Sequence, residues 1–160
     1  VQTGTTLREN HLKPLGDGTI IESQACLIGN MRALRQQPVT LEIAHTMLEF
    51  IDASLQGKQV RQLTINLQGT SPADIARQIT ECPVTQGLKG PTIAQMFGDE
   101  PSTSEMKWYT VTINVKSRDL LEAVRHLRKI GSSQVVVSPV NFVFHDQSSS
   151  YLRLLDLINH

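Results

Sequence analysis

The strongest constraint on the fold lies in residues 60–144, where strand-like segments with two-residue periodicity and helical segments follow one another in a fixed order. RQLTINLQ and EMKWYTVTINVK alternate apolar and polar residues, as half-buried strands do. Two further segments complete a set of four strands: GPTIAQMFG, an apolar segment between glycines, and SQVVVSPVNFVF, a β-branched segment that Pro139 interrupts. With a helix after the first strand and another after the third, the order predicts a ferredoxin-like βαββαβ domain, an antiparallel sheet with both helices on one face.

The two helices of this domain have clear start and stop signals. In SPADIARQITEC, Ser71 is placed to cap the helix, Pro72 to occupy its first position and Asp74 to face the cap. In SRDLLEAVRHLRKIG, Ser117 is the expected cap and Gly131 the expected stop. The predicted buried face of the second helix consists of Leu120, Leu121, Val124, Leu127 and Ile130.

The residues before the domain contain one long amphipathic segment, TLEIAHTMLEFIDASLQGK. It predicts a helix that Thr40 caps and Gly57 ends. Its predicted apolar stripe consists of Leu41, Ala44, Leu48, Ile51 and Leu55. TIIESQACLIGN, upstream of this helix, predicts a strand, and SYLRLLDLI predicts a last helix near the end of the chain.

Composition excludes several classes of function. Fifteen basic and fifteen acidic residues give a net charge of zero, so we expect neither a nucleic acid nor a membrane as partner. Phe142 and Phe144 alternate on the last strand, but the glycine-aromatic signature of RNA-recognition domains is absent.

The five histidines show no metal-ligand spacing, which predicts no metal bound by the protein itself. Cys26 and Cys82 are interpreted as reduced thiols of an intracellular protein.

Two glycine-containing segments are candidates for ligand binding. TGTTLREN, at residues 3–10, combines a flexible glycine, three hydroxyl groups and a possible helix N-terminus, which together suit a phosphate group. On its own the motif is shorter than defined phosphate loops, so an ordinary glycine turn is the favoured interpretation. GLKGPTIAQM either positions the following strand or brings its backbone close to a small ligand, and the residues alone leave both interpretations open.

Four segments, in this order, carry a resemblance to a known family: TGTTLREN, ESQACLIGN, GLKGPTIAQM and LRKIGSSQVVVSPV. They resemble the long form of the ATP phosphoribosyltransferase family, and SPVNFVFHDQ is similar to the ending of its plant-like members. The resemblance covers essentially the whole chain but only the latter half of that enzyme. It implies a mixed α/β (α+β) chain in three parts: a partial periplasmic-binding-protein-like lobe over 1–57, a ferredoxin-like regulatory domain over 58–146, and a tail helix over 147–160.

The resemblance also implies an activity. In this family N1 of ATP displaces pyrophosphate from phosphoribosyl pyrophosphate (PRPP) in the presence of Mg²⁺, which is the first step of histidine biosynthesis. The family's loop for the 5′-phosphate of PRPP falls on Thr3, Gly4, Thr5, Thr6 and Leu7. Because the chain begins inside the second lobe, we expect the 160-residue chain alone to be inactive, and the resemblance assigns none of its residues to catalysis.

A regulatory site for histidine, formed between subunits, is the second implication. Its lining positions fall on Leu88, Thr92, Asn114 and Gln134. The carboxylate expected to bind the histidine ammonium falls near residues 69–70, where Asp74 is the nearest acidic residue. The family forms dimers and hexamers, and a cytoplasmic location is expected, or a chloroplast location for a plant source. A non-catalytic ferredoxin-like module that senses amino acids is the alternative interpretation.

Overall fold

The computed structural model describes residues 9–13, 25–87, 89–97 and 106–159. The chain divides into two compact units, Val1–Met31 and Arg32–His160. In the first unit, residues 25–30 of the predicted strand have no regular structure, and the rest of that strand lies outside the described residues. All the strands that the structure describes belong to the second unit.

The described elements follow the chain as nine helices and strands. They are α1 (Met31–Gln36), α2 (Pro38–Lys58), β1 (Val60–Gly69), α3 (Pro72–Thr80), β2 (Thr92–Gln95), β3 (Lys107–Lys116), α4 (Leu120–Lys129), β4 (Val135–Pro139) and α5 (Ser149–Asn159). Short 3₁₀ turns at Pro83–Gln86 and Ser117–Asp119 precede β2 and α4. Among these helices, none has the length and apolar character that a membrane span needs.

The sheet has the strand order β2-β3-β1-β4, and every neighbouring pair is antiparallel. With α3 between β1 and β2 and α4 between β3 and β4, this order confirms the ferredoxin-like βαββαβ domain. The central pair, β1 and β3, is aligned over ten residues, from Val60 opposite Lys116 to Gly69 opposite Lys107. These two strands therefore fix the position of everything else on the sheet.

One face of the sheet forms the core against α3 and α4. Its buried residues are Leu63, Ile65, Leu67, Ile75, Ile79, Tyr109, Val111, Ile113, Val115, Ala123 and Leu127. The opposite face is polar: the hydroxyl of Thr110 donates to the amide oxygen of Asn66 at 2.8 Å, and the hydroxyls of Thr64 and Thr112 lie 3.5 Å apart. The alternation predicted from the sequence is thus confirmed, and the polar face is the one left open by α3 and α4.

The start of α3 also follows its sequence signal. The backbone N–H of Asp74 donates to the Ser71 hydroxyl at 3.2 Å, and the Asp74 carboxylate accepts from Thr70 and from Arg77. The hydrogen bond from Arg77 is the main cause that lowers the pKa of Asp74 below its ordinary value. Asp74 is therefore already engaged by its own helix.

The start of α4 differs from the prediction. Ser117 does not cap the helix, because its hydroxyl donates to the backbone oxygen of Lys58 at 3.1 Å and the α-helix begins only at Leu120. Leu121 was predicted to be buried but is 62% exposed, whereas Ala123 and Leu127 are fully buried. Gly131 has φ 104°, in agreement with its predicted stop.

Helix α2 departs from the sequence expectation at both ends. It begins at Pro38 with Gln37 as the flanking residue, so Thr40 lies inside the first turn and is not the cap. At the other end the helix continues through Gly57 to Lys58. A Cβ on Gly57 would lie 2.5 Å from the backbone oxygen of Asn141, so this glycine serves close packing and does not end the helix.

The apolar stripe of α2 is only partly covered. Ile51 and Leu55, both predicted to face inward, are 41% and 52% exposed, while Ala53 and Gly57 are buried. The covering segment follows β4, and its Val143 N–H donates to the Ala53 backbone oxygen at 3.0 Å. The backbone of this segment lies so close to α2 that only small residues fit beneath it. The buried residues of the helix are therefore Ala53 and Gly57, and its large apolar side chains lie on a different side.

Helix α5 is attached to α2 by polar contacts. The Asp52 carboxylate accepts from the Ser148 hydroxyl at 2.7 Å, the Ser150 N–H at 3.0 Å and the Ser150 hydroxyl at 2.6 Å. Burial opposes ionisation of Asp52, but these hydrogen bonds outweigh it and lower the pKa of its carboxyl. The rings of His45 and Tyr151 stack with centroids 3.9 Å apart. A carboxylate at the N-terminus of α5 also complements the positive end of that helix.

We predict that Gly57→Ala lowers the free energy of unfolding by about 1–3 kcal/mol, because the new methyl group overpacks the backbone at Asn141. The intrinsic helix preference of alanine, worth up to about 1 kcal/mol, acts in the opposite direction. Urea denaturation measures the difference. Gln56→Ala, an exposed neighbour on the same helix, is the matched control and should change the free energy by less than about 0.5 kcal/mol. A stabilised Gly57→Ala variant would contradict the prediction.

We predict that the attachment of α5 weakens as the pH falls below about 4. The folded pKa of Asp52 is depressed, so its contribution is complete above the unfolded pKa of about 3.9 and is lost as the pH falls through the folded value. Asp52→Asn should speed amide exchange in α5 at neutral pH and remove most of this pH dependence. Asp156→Asn, on the exposed side of α5, is the control. Equal exchange in wild type and Asp52→Asn would refute the assignment.

Candidate functional site

Two of the expected histidine-site residues lie on neighbouring strands of the open sheet face. Thr92 is the first residue of β2 and pairs with Thr112, and Asn114 lies two residues further along β3. A strand spacing of about 4.8 Å and a rise of about 3.3 Å per residue place their Cα atoms roughly 8 Å apart. One small ligand could therefore contact both residues.

Asn114 carries the most unusual polar atom of this face. Its side-chain oxygen is buried and has no hydrogen-bond partner among the residues that the structure describes. A buried acceptor without a donor costs about 1–3 kcal/mol, so such an atom is a natural position for a ligand N–H. Asn114 also lines a cavity of about 420 Å³, together with Pro83, Val84, Gly87, Val115, Lys116 and Asp119.

The backbone around Gly87 lets the chain approach this cavity closely. Gly87 has φ 72° and ψ −176°, a backbone conformation that residues with a side chain rarely adopt. A Cβ built on it would lie 3.4 Å from the backbone oxygen of Asn114. This glycine begins the GLKG segment, and the close approach that it makes is to the backbone of β3. The interpretation that the segment brings its backbone close to a small ligand stays a prediction.

Lys116 and Asp119 give the cavity one positive and one negative charge. Lys116 ends β3 and Asp119 ends the turn before α4, so neither belongs to a motif that the sequence singled out. Opposite charges beside an unpaired acceptor suit a small zwitterion, whose carboxylate and ammonium need separate partners. The only sequence signal for these two residues was their place at predicted element ends.

Gln134 lies on another part of the sheet. It directly precedes β4, whose first residue, Val135, pairs with Ile65 of β1. By this register Gln134 is level with Asn66 of β1. Asn114 pairs with Gln62, which lies four residues from Asn66 along the same strand. With β1 between them, Gln134 and Asn114 are roughly 15 Å apart. A single small ligand does not span that distance within one chain.

Asp74 lies still further from Asn114. It follows β1, whose last residue, Gly69, pairs with Lys107, seven residues before Asn114 on β3. That register corresponds to roughly 23 Å along the strand. Asp74 therefore lies toward one end of the sheet and Asn114 toward the other, while Thr92 and Gln134 lie at intermediate levels on opposite edges of the sheet. Leu88 and the loop residues Thr3, Gly4, Thr5, Thr6 and Leu7 lie outside the described residues.

Family comparison supports the motif-based resemblance. The family model described as HisG, C-terminal domain, matches residues 58–142, more than half of the chain, and the one described as ATP phosphoribosyltransferase matches residues 1–53. The chain belongs to the ATP phosphoribosyltransferase family. The C-terminal match coincides with the βαββαβ domain, so the long-form resemblance and the ferredoxin-like domain are both confirmed. The finer division at residues 57 and 146 stays a prediction.

Individual relatives agree with the family. ATP phosphoribosyltransferase 2, chloroplastic, of Arabidopsis thaliana is 36% identical over 97% of this chain and 38% of its own length. ATP phosphoribosyltransferase 1, chloroplastic, of the same plant is 32% identical over the same shares. ATP phosphoribosyltransferase of Nitrobacter hamburgensis is 27% identical over 95% of the chain and 42% of its own length. The chain thus spans about two fifths of these ATP phosphoribosyltransferases.

Proposed function

We propose that this chain contributes a PRPP-binding segment and a histidine-sensing domain to an enzyme that transfers phosphoribosyl from PRPP to N1 of ATP. The match of both family models, in the order expected for the long form, is the observation that carries the proposal. The match to residues 1–53 favours this function over a stand-alone amino-acid sensor, because a sensor needs no catalytic segment. The product, phosphoribosyl-ATP, opens histidine biosynthesis.

The proposed contribution to catalysis is the binding of the PRPP 5′-phosphate. Thr3, Thr5 and Thr6 supply hydroxyl donors, and Gly4 lets the backbone N–H groups turn toward one anion. Holding this phosphate fixes C1 of the ribose for in-line attack, which is an effect of positioning. Among the residues that the structure describes, no three His, Cys, Asp or Glu gather as metal ligands. In this proposal Mg²⁺ enters with PRPP and ATP, as the family resemblance implies.

The proposed regulation is feedback by histidine at a site between two copies of the chain. Thr92 and Asn114 form one half of the expected lining, and Gln134 lies on the far side of β1. Two separated half-sites on one sheet are completed when each copy presents a different half to its neighbour. The same arrangement makes a homo-oligomer, a dimer or a hexamer, part of the proposal.

The chemistry of the first half-site fits an amino acid. The Asn114 oxygen accepts from an imidazole or ammonium N–H, and the Thr92 hydroxyl lies on the adjacent exposed strand. Lys116 and Asp119 provide charges for the carboxylate and the ammonium. A cytoplasmic location, or a chloroplast location in a plant, completes the proposal, and the names of the two Arabidopsis relatives support the chloroplast.

Calorimetric titration with L-histidine tests the regulatory half. We expect saturable binding that depends on self-association of the chain, because the lining comes from two copies. Asn114→Leu and Thr92→Val should each weaken binding about tenfold, the typical effect of one lost hydrogen bond to a charged group. Thr46→Val, the same change on exposed α2, is the matched control. Absence of heat at millimolar histidine would refute this half of the proposal.

Titration with PRPP and Mg²⁺ tests the catalytic half. We expect Thr5→Val and Thr6→Val to weaken PRPP binding about tenfold each, because each removes a donor to a phosphate dianion. Thr110→Val, on the open face of the sheet, should leave PRPP binding unchanged. Unchanged binding in the loop variants would contradict the assignment. The expected inactivity of the chain alone stays a prediction, which an assay for phosphoribosyl-ATP checks.

A further inference from the structure

A second cavity, of about 420 Å³, lies where the end of α2 meets the start of β1 and the end of β3. Its described lining residues are Gln56, Lys58, Gln59, Val60, Lys116, Ser117, Arg118, Val143 and His145. Lys58, Lys116 and Arg118 are cationic, His145 is basic, and none of the described lining residues is acidic. We propose that this basic cavity binds a small phosphate-bearing anion.

Backbone pairing brings the basic residues together. Val60 pairs with Lys116 across the central strands, so the Lys116 side chain lies beside the start of β1. The Ser117 N–H donates to the Gln59 backbone oxygen at 2.7 Å, and the Ser117 hydroxyl donates to the Lys58 backbone oxygen at 3.1 Å. These bonds hold the end of β3 against the end of α2. The cationic residues 58, 116 and 118 thus belong to a fixed junction of the fold.

The end of α2 does not need these charges. Its terminal carbonyl groups already have donors: Gln59 N–H donates to the oxygens of Gln56 and Gly57, and the Lys58 oxygen accepts from Ser117 and Arg61. The C-terminal end of a helix is equivalent to about half a unit of negative charge. The Arg61 guanidinium, which donates to the Lys58 backbone oxygen, already places one full positive charge there. The charges of Lys58, Lys116 and Arg118 therefore exceed what the helix requires.

Within the cavity the positive charge is only weakly compensated. The Arg118 guanidinium lies 3.5 Å from the Asp119 carboxylate, an exposed contact between adjacent residues. For Lys58 and Lys116, no carboxylate within salt-bridge distance is found among the described residues. Buried Val60, with Val143 beside it, gives the cavity an apolar wall, which strengthens the local field.

The charge pattern favours a small multivalent anion over a nucleic acid. The net charge of the chain is zero, so the chain as a whole does not supply the excess of positive charge that attracts a long phosphate backbone. Two lysines act as mobile point charges, and an arginine presents a planar fork; both suit phosphate oxygens. A diphosphate carries more negative charge than a single phosphate and so matches three cationic residues better, and a cavity of about 420 Å³ has room for it.

Titration of the 160-residue chain with sodium pyrophosphate and with inorganic phosphate tests this site. We expect pyrophosphate to bind more tightly than phosphate and the affinity to fall as salt rises. Lys58→Gln and Arg118→Gln should each weaken pyrophosphate binding about tenfold. Lys129→Gln and Arg125→Gln carry the same charge change on exposed α4 and should leave the affinity within about twofold.

Chemical-shift mapping keeps the test independent of variant folding and of the PRPP loop. In the wild-type chain, pyrophosphate should shift the amide signals of Gln59, Ser117 and Arg118 before other signals of the second unit. A short RNA oligomer is the comparison ligand, and tighter binding of the RNA would overturn the choice of a small anion. Shifts confined to residues 3–7, or affinity retained in Lys58→Gln and Arg118→Gln, would place the anion elsewhere and refute the proposal.

Discussion

The ten-residue pairing of β1 with β3 is the constraint on which the rest of the structure depends. It decides which side chains face the core and which face outward, since a slip of one residue would exchange the two sets. With this register, Leu63, Ile65 and Ile113 are buried beneath α3 and α4. The same register places Asn114 opposite Gln62 and Lys116 opposite Val60. The core and both candidate ligand cavities therefore result from one pairing.

The fold of residues 60–139 was predictable because local patterns and tertiary packing agree there. Strand alternation, the Ser71 cap and the Gly131 stop each rest on interactions within a few residues, and the structure has all three. The errors occur where a distant segment competes. Gly57 was interpreted as a helix stop, but Asn141, far along the chain, requires a residue without a side chain. Ser117 was interpreted as a cap, but its hydroxyl bonds to Lys58.

The candidate sites were less predictable, for a similar reason. A family resemblance marked Thr92, Asn114 and Gln134 individually, but their separation on the sheet follows from strand order, which no local pattern contains. The basic cavity had no signal at all, because Lys58 and Arg118 are sixty positions apart and each resembles an ordinary surface residue. Lys58 and Arg118 come close together only because the alignment of β1 with β3 puts Val60 opposite Lys116.

A net charge of zero conceals a local separation of charge around α2. Glu49 and Asp52 line a cavity of about 230 Å³ that shares Gln56, Val143 and His145 with the basic cavity. Asp52 is committed to α5 through its serine donors, so the acidic side already has an internal partner. On the basic side the donors of Ser117 and Arg61 bind backbone oxygens. The ammonium groups of Lys58 and Lys116 have no carboxylate within salt-bridge distance among the described residues. Among the described residues, no ion pair joins Glu49 or Asp52 to Lys58 or Lys116, so the opposite charges of the two cavities stay separate. That separation allows a neutral chain to attract a small anion at one defined place.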